Sequence, residues 1–287
     1  KRNMRLTIIT ILLISNIGFS QNKLTELNFD TKYYDAVDNW VVFPKKETDS
    51  TYAYGFIYID QMAGITLRYG GTLKIEKDKF VSSEKANNSM IIHRLTKKTN
   101  NVYLFSDKQI SELDLQKEPE WLSTYKSNEN TAEYLKDIGN HLNHAGAVDK
   151  ALVPLLKAYK IEPHLKGLEF ELSFAYNALK EFNKAIEILE KAIENNPNDY
   201  QFYRELGYSY MNLERIDEAE KTYLKGIKIS TSDFEKSEMC VNMAQAYFRK
   251  KDEKKFNEWS EKTLKYAKEG SQYAQYIEYF KKEWNKE

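Results

Sequence analysis

A 34-residue period runs through the second half of this 287-residue chain. The same pattern of alanine, then leucine or tyrosine, then a small residue occurs three times. Its members are Ala151, Leu155 and Ala158; Ala185, Leu189 and Ala192; and Ala219, Tyr223 and Gly226. A unit of this length holds two short amphipathic helices, which bury their apolar faces only by stacking against neighbouring units. The period therefore predicts an all-α solenoid over residues 132–268.

A second set of small residues precedes each alanine, at Gly139, Ser173 and Gly207. Small residues let the two helices of a unit approach closely, while large side chains fill the space beside them. Pro163 and Pro197 end their units because proline cannot continue a helix. Together these features resemble the tetratricopeptide repeat family. The resemblance covers about half of the chain and implies a solenoid that binds a protein or peptide ligand.

The end of the chain departs from this pattern. The stretch "MCVNMAQAYFRKKDEKKFNEWSEKTLKYAKEG" fits a degenerate fourth repeat with a three-residue insertion. Residues 269–287 then predict a capping helix, with Tyr273, Ile277 and Phe280 facing inward. Terminal repeats are commonly atypical because they cap the stack. The interpretation is three clear repeats, a degenerate fourth and a cap.

The N-terminal half follows a period of two, which is typical of strands. The segment "STYAYGFIYID" places Tyr52, Tyr54, Phe56 and Tyr58 on one face of a strand that is apolar on both faces. Such a strand is usually covered on both sides. The alternative is an exposed aromatic platform that binds a glycan or the cell wall.

Residues 21–121 are interpreted as a small antiparallel β module, which makes the fold class α+β. A three-residue turn, Gly70-Gly71-Thr72, would place Tyr69 opposite Leu73 in a hairpin. The segments "MIIHRL" and "VYLF" predict a further pair of strands. The polar residues 122–131 are the candidate linker to the repeats.

The first twenty residues differ from the rest of the chain. Lys1, Arg2 and Arg5 precede an apolar run over residues 6–17, and Gly18-Phe19-Ser20 follows. This order is typical of a secretory signal peptide over residues 1–20. The run is shorter than the roughly 20 residues of a membrane span, although an uncleaved anchor is the alternative. We expect an exported protein, periplasmic or secreted from a Gram-negative bacterium, without stable membrane insertion after cleavage.

The sequence offers little evidence for catalysis, and no catalytic residue, metal or cofactor is predicted. Phosphate-binding loops, zinc-protease motifs and nucleophile elbows are absent from it. His141 and His144 are three residues apart but lack an obvious third metal ligand. Cys240, the single cysteine, lies among apolar residues and is expected to be buried and inert. A formal net charge of zero gives no field that would attract nucleic acid.

The resemblance places a ligand groove along the first helix of each unit. The positions it assigns are Lys136, Asn140, His144, Phe170, Phe174, Asn177, Arg204, Tyr208, Asn212 and Arg249. Amides would bind a peptide backbone, cations would bind carboxylates, and rings would contact side chains. Phe174 and Tyr208 stand where a carboxylate clamp of this family needs an amide and a cation, which argues against a clamp. The alternative is that the aromatic groove residues pack against a terminal helix or the β module.

Overall fold

The computed structural model describes residues 27–86 and 90–284. The segment interpreted as a signal peptide, residues 1–20, lies outside the described residues. An antiparallel sheet comes first in the described chain, and a long series of paired helices follows. The predicted fold class, a β module followed by a helical solenoid, is therefore confirmed.

Within the described residues the sheet has six strands, of which five follow the order β4-β3-β2-β1-β6, while β5 pairs with β3 beside β4. All pairs are antiparallel. The strands are β1 (Asn39–Val42), β2 (Tyr52–Asp60), β3 (Gly64–Glu76), β4 (Lys79–Lys85), β5 (Ile92–Arg94) and β6 (Tyr103–Leu104). Lys77 and Asp78 both have positive φ, which suits a tight two-residue turn between β3 and β4.

The hairpin predicted at Gly70-Gly71-Thr72 is wrong, because β3 runs through these residues without turning. A Cβ atom on Gly70 would lie 2.6 Å from the Tyr54 ring, and one on Gly71 would lie 2.1 Å from the carbonyl oxygen of Glu84. Gly71 also has a φ of 142°. The two glycines therefore allow close packing at a bulge in the sheet rather than a turn.

The predicted pairing of "MIIHRL" with "VYLF" is also wrong, although both segments contain strands. β5 pairs with β3, whereas β6 pairs with β1 at the far side of the sheet. The short alternating segments carry no information about their partners, because each has only two or three residues in register.

The aromatic face of β2 is buried rather than exposed. Tyr54, Phe56 and Tyr58 are each at most 1% exposed, and Tyr52 is partly buried. The Trp121 ring lies edge-on to Phe56 and Tyr58, at centroid distances of 5.6 and 5.1 Å. The covering interpretation is therefore confirmed, and the exposed glycan platform is wrong.

Between the last strand and the repeats, the described chain forms two short helices. They are α1 (Asp107–Glu112) and α2 (Leu122–Tyr125). Leu122 is buried against Phe56 and Tyr58. The segment interpreted as a linker, residues 122–131, thus begins with a helix that packs on the sheet.

The remaining helices form pairs with the predicted period. The first pair is α3 (Ala132–Ala145) with α4 (Val148–Ile161), the second is α5 (Leu168–Ala178) with α6 (Phe182–Asn195), the third is α7 (Tyr200–Asn212) with α8 (Ile216–Ile229), and the fourth is α9 (Asp233–Lys250) with α10 (Glu253–Tyr266), followed by α11 (Gln272–Trp284). Ala151, Ala185 and Ala219 are all fully buried. A Cβ atom on Gly207 would lie 2.6 Å from the Tyr223 ring, which is the small-against-large packing expected from the sequence.

Both ends of the helical stack are covered. At its start, Ile57 and Ile65 of the sheet belong to the same apolar core as Leu142 of α3. At its end, α11 packs against α9 and α10 and buries Ile277 and Phe280, as the capping interpretation requires. The sheet and the final helix therefore flank the row of first helices α3, α5, α7 and α9.

Candidate functional site

The first helices of successive repeats lie side by side, since α3 contacts α5, α5 contacts α7, and α7 contacts α9. Two neighbouring cavities open along this row. The first has a volume of about 270 Å³ between α5, α7 and α9, and the second has about 690 Å³ between α9 and α11. Glu238 and Asn242 line both. We call the two cavities together the groove; it is lined by Phe174, Asn177, Ala178, Arg204, Glu205, Tyr208, Glu238, Val241, Asn242, Gln245, Tyr273, Gln275, Tyr276, Tyr279 and Phe280.

Exposed aromatic rings flank the groove at both ends. Phe174 and Tyr208 are each 38% exposed, and Tyr276 and Tyr279 are 42% and 57% exposed. Large rings left in water are available to a partner, and aromatic residues are enriched at the centres of interfaces. The rings of Phe174 and Tyr208 contact Phe170 and Phe182 within the repeats, and the exposed part of each ring remains accessible to a partner.

A cluster of charges lies between the rings. The Arg204 guanidinium is 3.1 Å from Glu205 Oε1, 2.6 Å from Glu235 Oε2 and 3.7 Å from Glu238 Oε2. The Arg204 side chain is only 16% exposed, so these pairs are largely removed from water. Its donors are therefore occupied by the protein's own carboxylates, which leaves little capacity to bind the carboxylate of a ligand.

The same cluster leaves negative charge in excess, because three carboxylates share one guanidinium. Burial raises the pKa of the Glu238 carboxyl, and Glu235 and Glu205 raise it further against the opposing effect of Arg204. The raised pKa means that burial and the two neighbouring carboxylates together disfavour the ionised form of Glu238 more than Arg204 favours it. A cation entering the groove beside Glu238 would relieve this imbalance.

Two predicted amides hold neighbouring repeats together. The Asn177 amide donates to the backbone oxygen and to Oε2 of Glu205 at 3.2 and 3.0 Å. One repeat earlier, Asn143 makes the same pair of bonds to Glu171, to which Asn140 also donates. These buried bonds satisfy groups that would otherwise be costly to bury. Asn140 and Asn177 thus serve the stacking of the first helices.

The structure brings four of the ten predicted groove residues together, since Phe174, Asn177, Arg204 and Tyr208 line the first cavity. The other six lie outside both cavities. Among these, Lys136 pairs with Asp137, Asn140 bonds to Glu171, His144 bonds to the Asn140 backbone, Phe170 lies beneath the Arg204 guanidinium, Asn212 bonds to the Tyr208 backbone, and Arg249 is exposed.

Sequence reasoning missed the acidic residues and the contribution of the last helix. Glu205 lies 34 residues after Glu171, so a search for charged residues at the repeat period finds it. Glu238, Tyr276 and Tyr279 have no such signal, because they come from the degenerate repeat and the cap.

The histidines and the cysteine that the sequence offered as candidates for metal binding or catalysis lie outside the groove and contact other parts of the fold. His141 Nε2 lies 2.8 Å from the Gln61 oxygen, and His144 Nδ1 lies 2.9 Å from the Asn140 oxygen. Within residues 27–86 and 90–284, His, Cys, Asp and Glu form no group of three or more that could hold a metal ion. Cys240 is fully buried as predicted, and burial raises the pKa of its thiol to about 12. No helix in the described part of the chain combines the length and apolar character needed to cross a bilayer.

Residues 176–235 match the family model of the tetratricopeptide repeat. Over 104 residues the chain is 31% identical to heat shock protein STI1 of Saccharomyces cerevisiae. The matched region is 36% of this chain and 18% of that protein. Over 106 residues it is 30% identical to an Hsp70-Hsp90 organising protein of Plasmodium falciparum. Here the matched region is 37% of this chain and 42% of that protein. The chain thus spans less than half the length of these relatives.

Solved structures of tetratricopeptide repeat proteins are similar to the helical region. YrrB, described as having an unusual peptide-binding site, is 18% identical with a TM-score of 0.47, over 56% of this chain and 80% of that one. TTC0263 of Thermus thermophilus is 19% identical with a TM-score of 0.46, over 56% and 86% of the two chains. At these identities the likeness concerns the fold alone.

Proposed function

We propose that this protein is a non-enzymatic interaction module of the bacterial cell envelope, and that its groove binds an extended peptide segment of a partner protein. The observation that carries the proposal is the pair of neighbouring cavities, which share Glu238 and Asn242 and have exposed rings at both ends. Rows of first helices of this kind suit extended segments, because one ligand can contact several repeats in succession. The name of the Plasmodium falciparum relative, an Hsp70-Hsp90 organising protein, supports a protein partner as the class of ligand.

The charges of the groove favour a ligand that carries lysine or arginine. Glu205, Glu235 and Glu238 outnumber Arg204, and a ligand cation placed beside them would also lie near the Tyr208 and Tyr276 rings. A cation over an aromatic face gains about 0.5–2 kcal/mol, depending on how far it is removed from water. We therefore expect the ligand segment to contain a lysine or arginine flanked by apolar residues. This replaces the expectation that groove cations bind carboxylates of the ligand.

The proposal is tested by fluorescence anisotropy with a short labelled peptide of arginine and leucine. The variant Phe174→Ala/Tyr208→Ala is expected to raise the Kd at least about tenfold, because two exposed contact rings are lost. Because only an ionised carboxylate attracts a cation, the affinity of the wild type is expected to fall as the pH is lowered through the raised pKa of Glu238.

The matched control is Leu156→Ala/Leu224→Ala, which removes two comparably exposed apolar side chains from the second helices α4 and α8. It is expected to leave the Kd unchanged. An unchanged Kd in the folded groove variant, checked by circular dichroism, would show that the peptide binds elsewhere.

The location in the cell envelope rests on the sequence of residues 1–20. Expression of the whole chain in a Gram-negative bacterium is expected to yield a mature protein in the periplasm or medium that starts at Gln21. Mass spectrometry of the intact protein measures this directly. A cytoplasmic protein that retains residues 1–20 would contradict export.

A further inference from the structure

A cavity of about 560 Å³ lies where the sheet meets the first repeat, away from the groove. We call it the junction pocket. Its lining residues come from the 3₁₀-helix Tyr33–Ala36, from β3, from the end of β5 and the segment after it, and from α3. They include Tyr33, Ile65, Arg94, Lys97, Lys98 and His144.

The junction pocket is strongly basic although the whole chain is formally neutral. Arg94, Lys97 and Lys98 line it together with His141 and His144, and no carboxylate is among the described residues that line it. Within the described part of the chain, the side chains of Arg94, Lys97 and Lys98 have neither an ion pair nor a hydrogen bond. Among the residues that the structure describes, this concentrated positive charge therefore has no paired carboxylate.

The two lysines are presented by an ordered turn. The Thr99 N–H donates to the Thr96 carbonyl at 2.8 Å, and the Thr96 N–H donates to Thr99 Oγ1 at 3.0 Å. The Lys98 N–H donates to Thr96 Oγ1 at 3.3 Å. The turn is fixed to the sheet because the Leu95 N–H donates to the Ile65 carbonyl at 2.8 Å. The backbone that carries the cations is therefore placed before any ligand arrives, which lowers the entropic cost of binding.

His144 contributes an imidazole ring to the pocket from α3. Its Nδ1 lies 2.9 Å from the Asn140 carbonyl, which can only accept, so Nδ1 carries the proton of that bond. The Nε2 atom takes no part in this bond. When the ring is protonated, Nε2 becomes a second donor that can reach an anion.

We propose that the junction pocket binds a phosphate monoester group. A phosphate carries up to two negative charges and three acceptor oxygens, which matches several converging cations better than a carboxylate does. The Arg94 fork can bind two oxygens at once, and the lysines contribute point charges. Buried Tyr33 and Ile65 form an apolar floor for the body of the molecule that carries the phosphate. The group can belong to a soluble metabolite or to a phosphatidic acid headgroup.

Isothermal titration calorimetry with phenyl phosphate tests the soluble source, and sedimentation with vesicles of phosphatidic acid in phosphatidylcholine tests the headgroup. Wild-type protein is expected to bind at least one of these probes, and Lys97→Ala/Lys98→Ala is expected to weaken that binding at least about tenfold. Both lysines are exposed, so the variant is expected to keep the thermal stability of the wild type.

The control variant is Lys221→Ala/Lys225→Ala, which removes the same charge from exposed positions of α8. It is expected to bind like the wild type. Equal weakening in both double variants would show a general charge effect and overturn the site, as would the absence of binding to both probes. Neither outcome bears on the groove, which is tested with a different ligand.

Discussion

Replacing Arg204 with alanine is expected to lower the free energy of unfolding by about 3–5 kcal/mol. The loss is large because the Arg204 guanidinium is the shared partner of Glu205, Glu235 and Glu238. These carboxylates come from two neighbouring first helices, α7 and α9, so removing the cation leaves like charges facing one another in a partly buried place. Leaving a buried charge without its partner costs far more than the net value of an intact pair.

Urea unfolding followed by circular dichroism measures the effect of Arg204→Ala. The control is Arg215→Ala, whose guanidinium pairs with Glu218 at 3.0 Å on an exposed surface. That variant is expected to lose no more than about 1 kcal/mol, as is usual for exposed pairs. Equal small losses in the two variants would contradict a structural role for Arg204 and would restore it as a residue free to bind ligand.

Truncating Trp259 to alanine is expected to lower the free energy of unfolding by about 3–5 kcal/mol. This indole ring is fully buried in the fourth repeat, and its Nε1 donates to Glu220 Oε1 at 2.9 Å. The bond joins α10 to α8 of the preceding repeat. Truncation would leave a large cavity and break this link between repeats.

The same urea experiment separates this effect from the general loss of an aromatic ring. Tyr279→Ala removes a ring that is 57% exposed and is expected to change the stability by about 0.5 kcal/mol or less. A small loss in Trp259→Ala would mean that the fourth repeat unfolds independently and is not part of the cooperative stack.

The helical half could be predicted from the sequence because its packing repeats in register. Each of Ala151, Ala185 and Ala219 occupies the same buried environment, so three observations support one structural statement. The degenerate fourth repeat was also predictable. Phe256, Ser260 and Thr263 follow the pattern of Ala219, Tyr223 and Gly226 after a three-residue insertion, and all three are buried.

The sheet was harder to predict because a glycine pair can form a turn or can allow close packing within a strand. At Gly70 and Gly71 the missing side chains admit the Tyr54 ring and the Glu84 backbone, which lie far away in sequence. A local pattern contains no information on such contacts, so a turn was the natural but wrong interpretation.

The candidate site was partly predictable. The rings of Phe174 and Tyr208 follow from the repeat phase, and both are exposed. The repeat pattern could not predict that the Arg204 guanidinium is already paired, because its partners Glu235 and Glu238 belong to the atypical repeat. As a result, the charge expected of the ligand is opposite in sign to the one that the sequence alone suggested.

Preference of the groove for a basic peptide segment is tested by comparing the binding of two ligands to the wild-type protein. One is the labelled arginine–leucine peptide, and the other has glutamate at every arginine position. We expect the basic peptide to bind at least about tenfold more tightly at low salt. This difference is expected to narrow as salt screens the exposed part of the attraction. Equal affinity, or tighter binding of the acidic peptide, would show that the groove does not select a basic ligand.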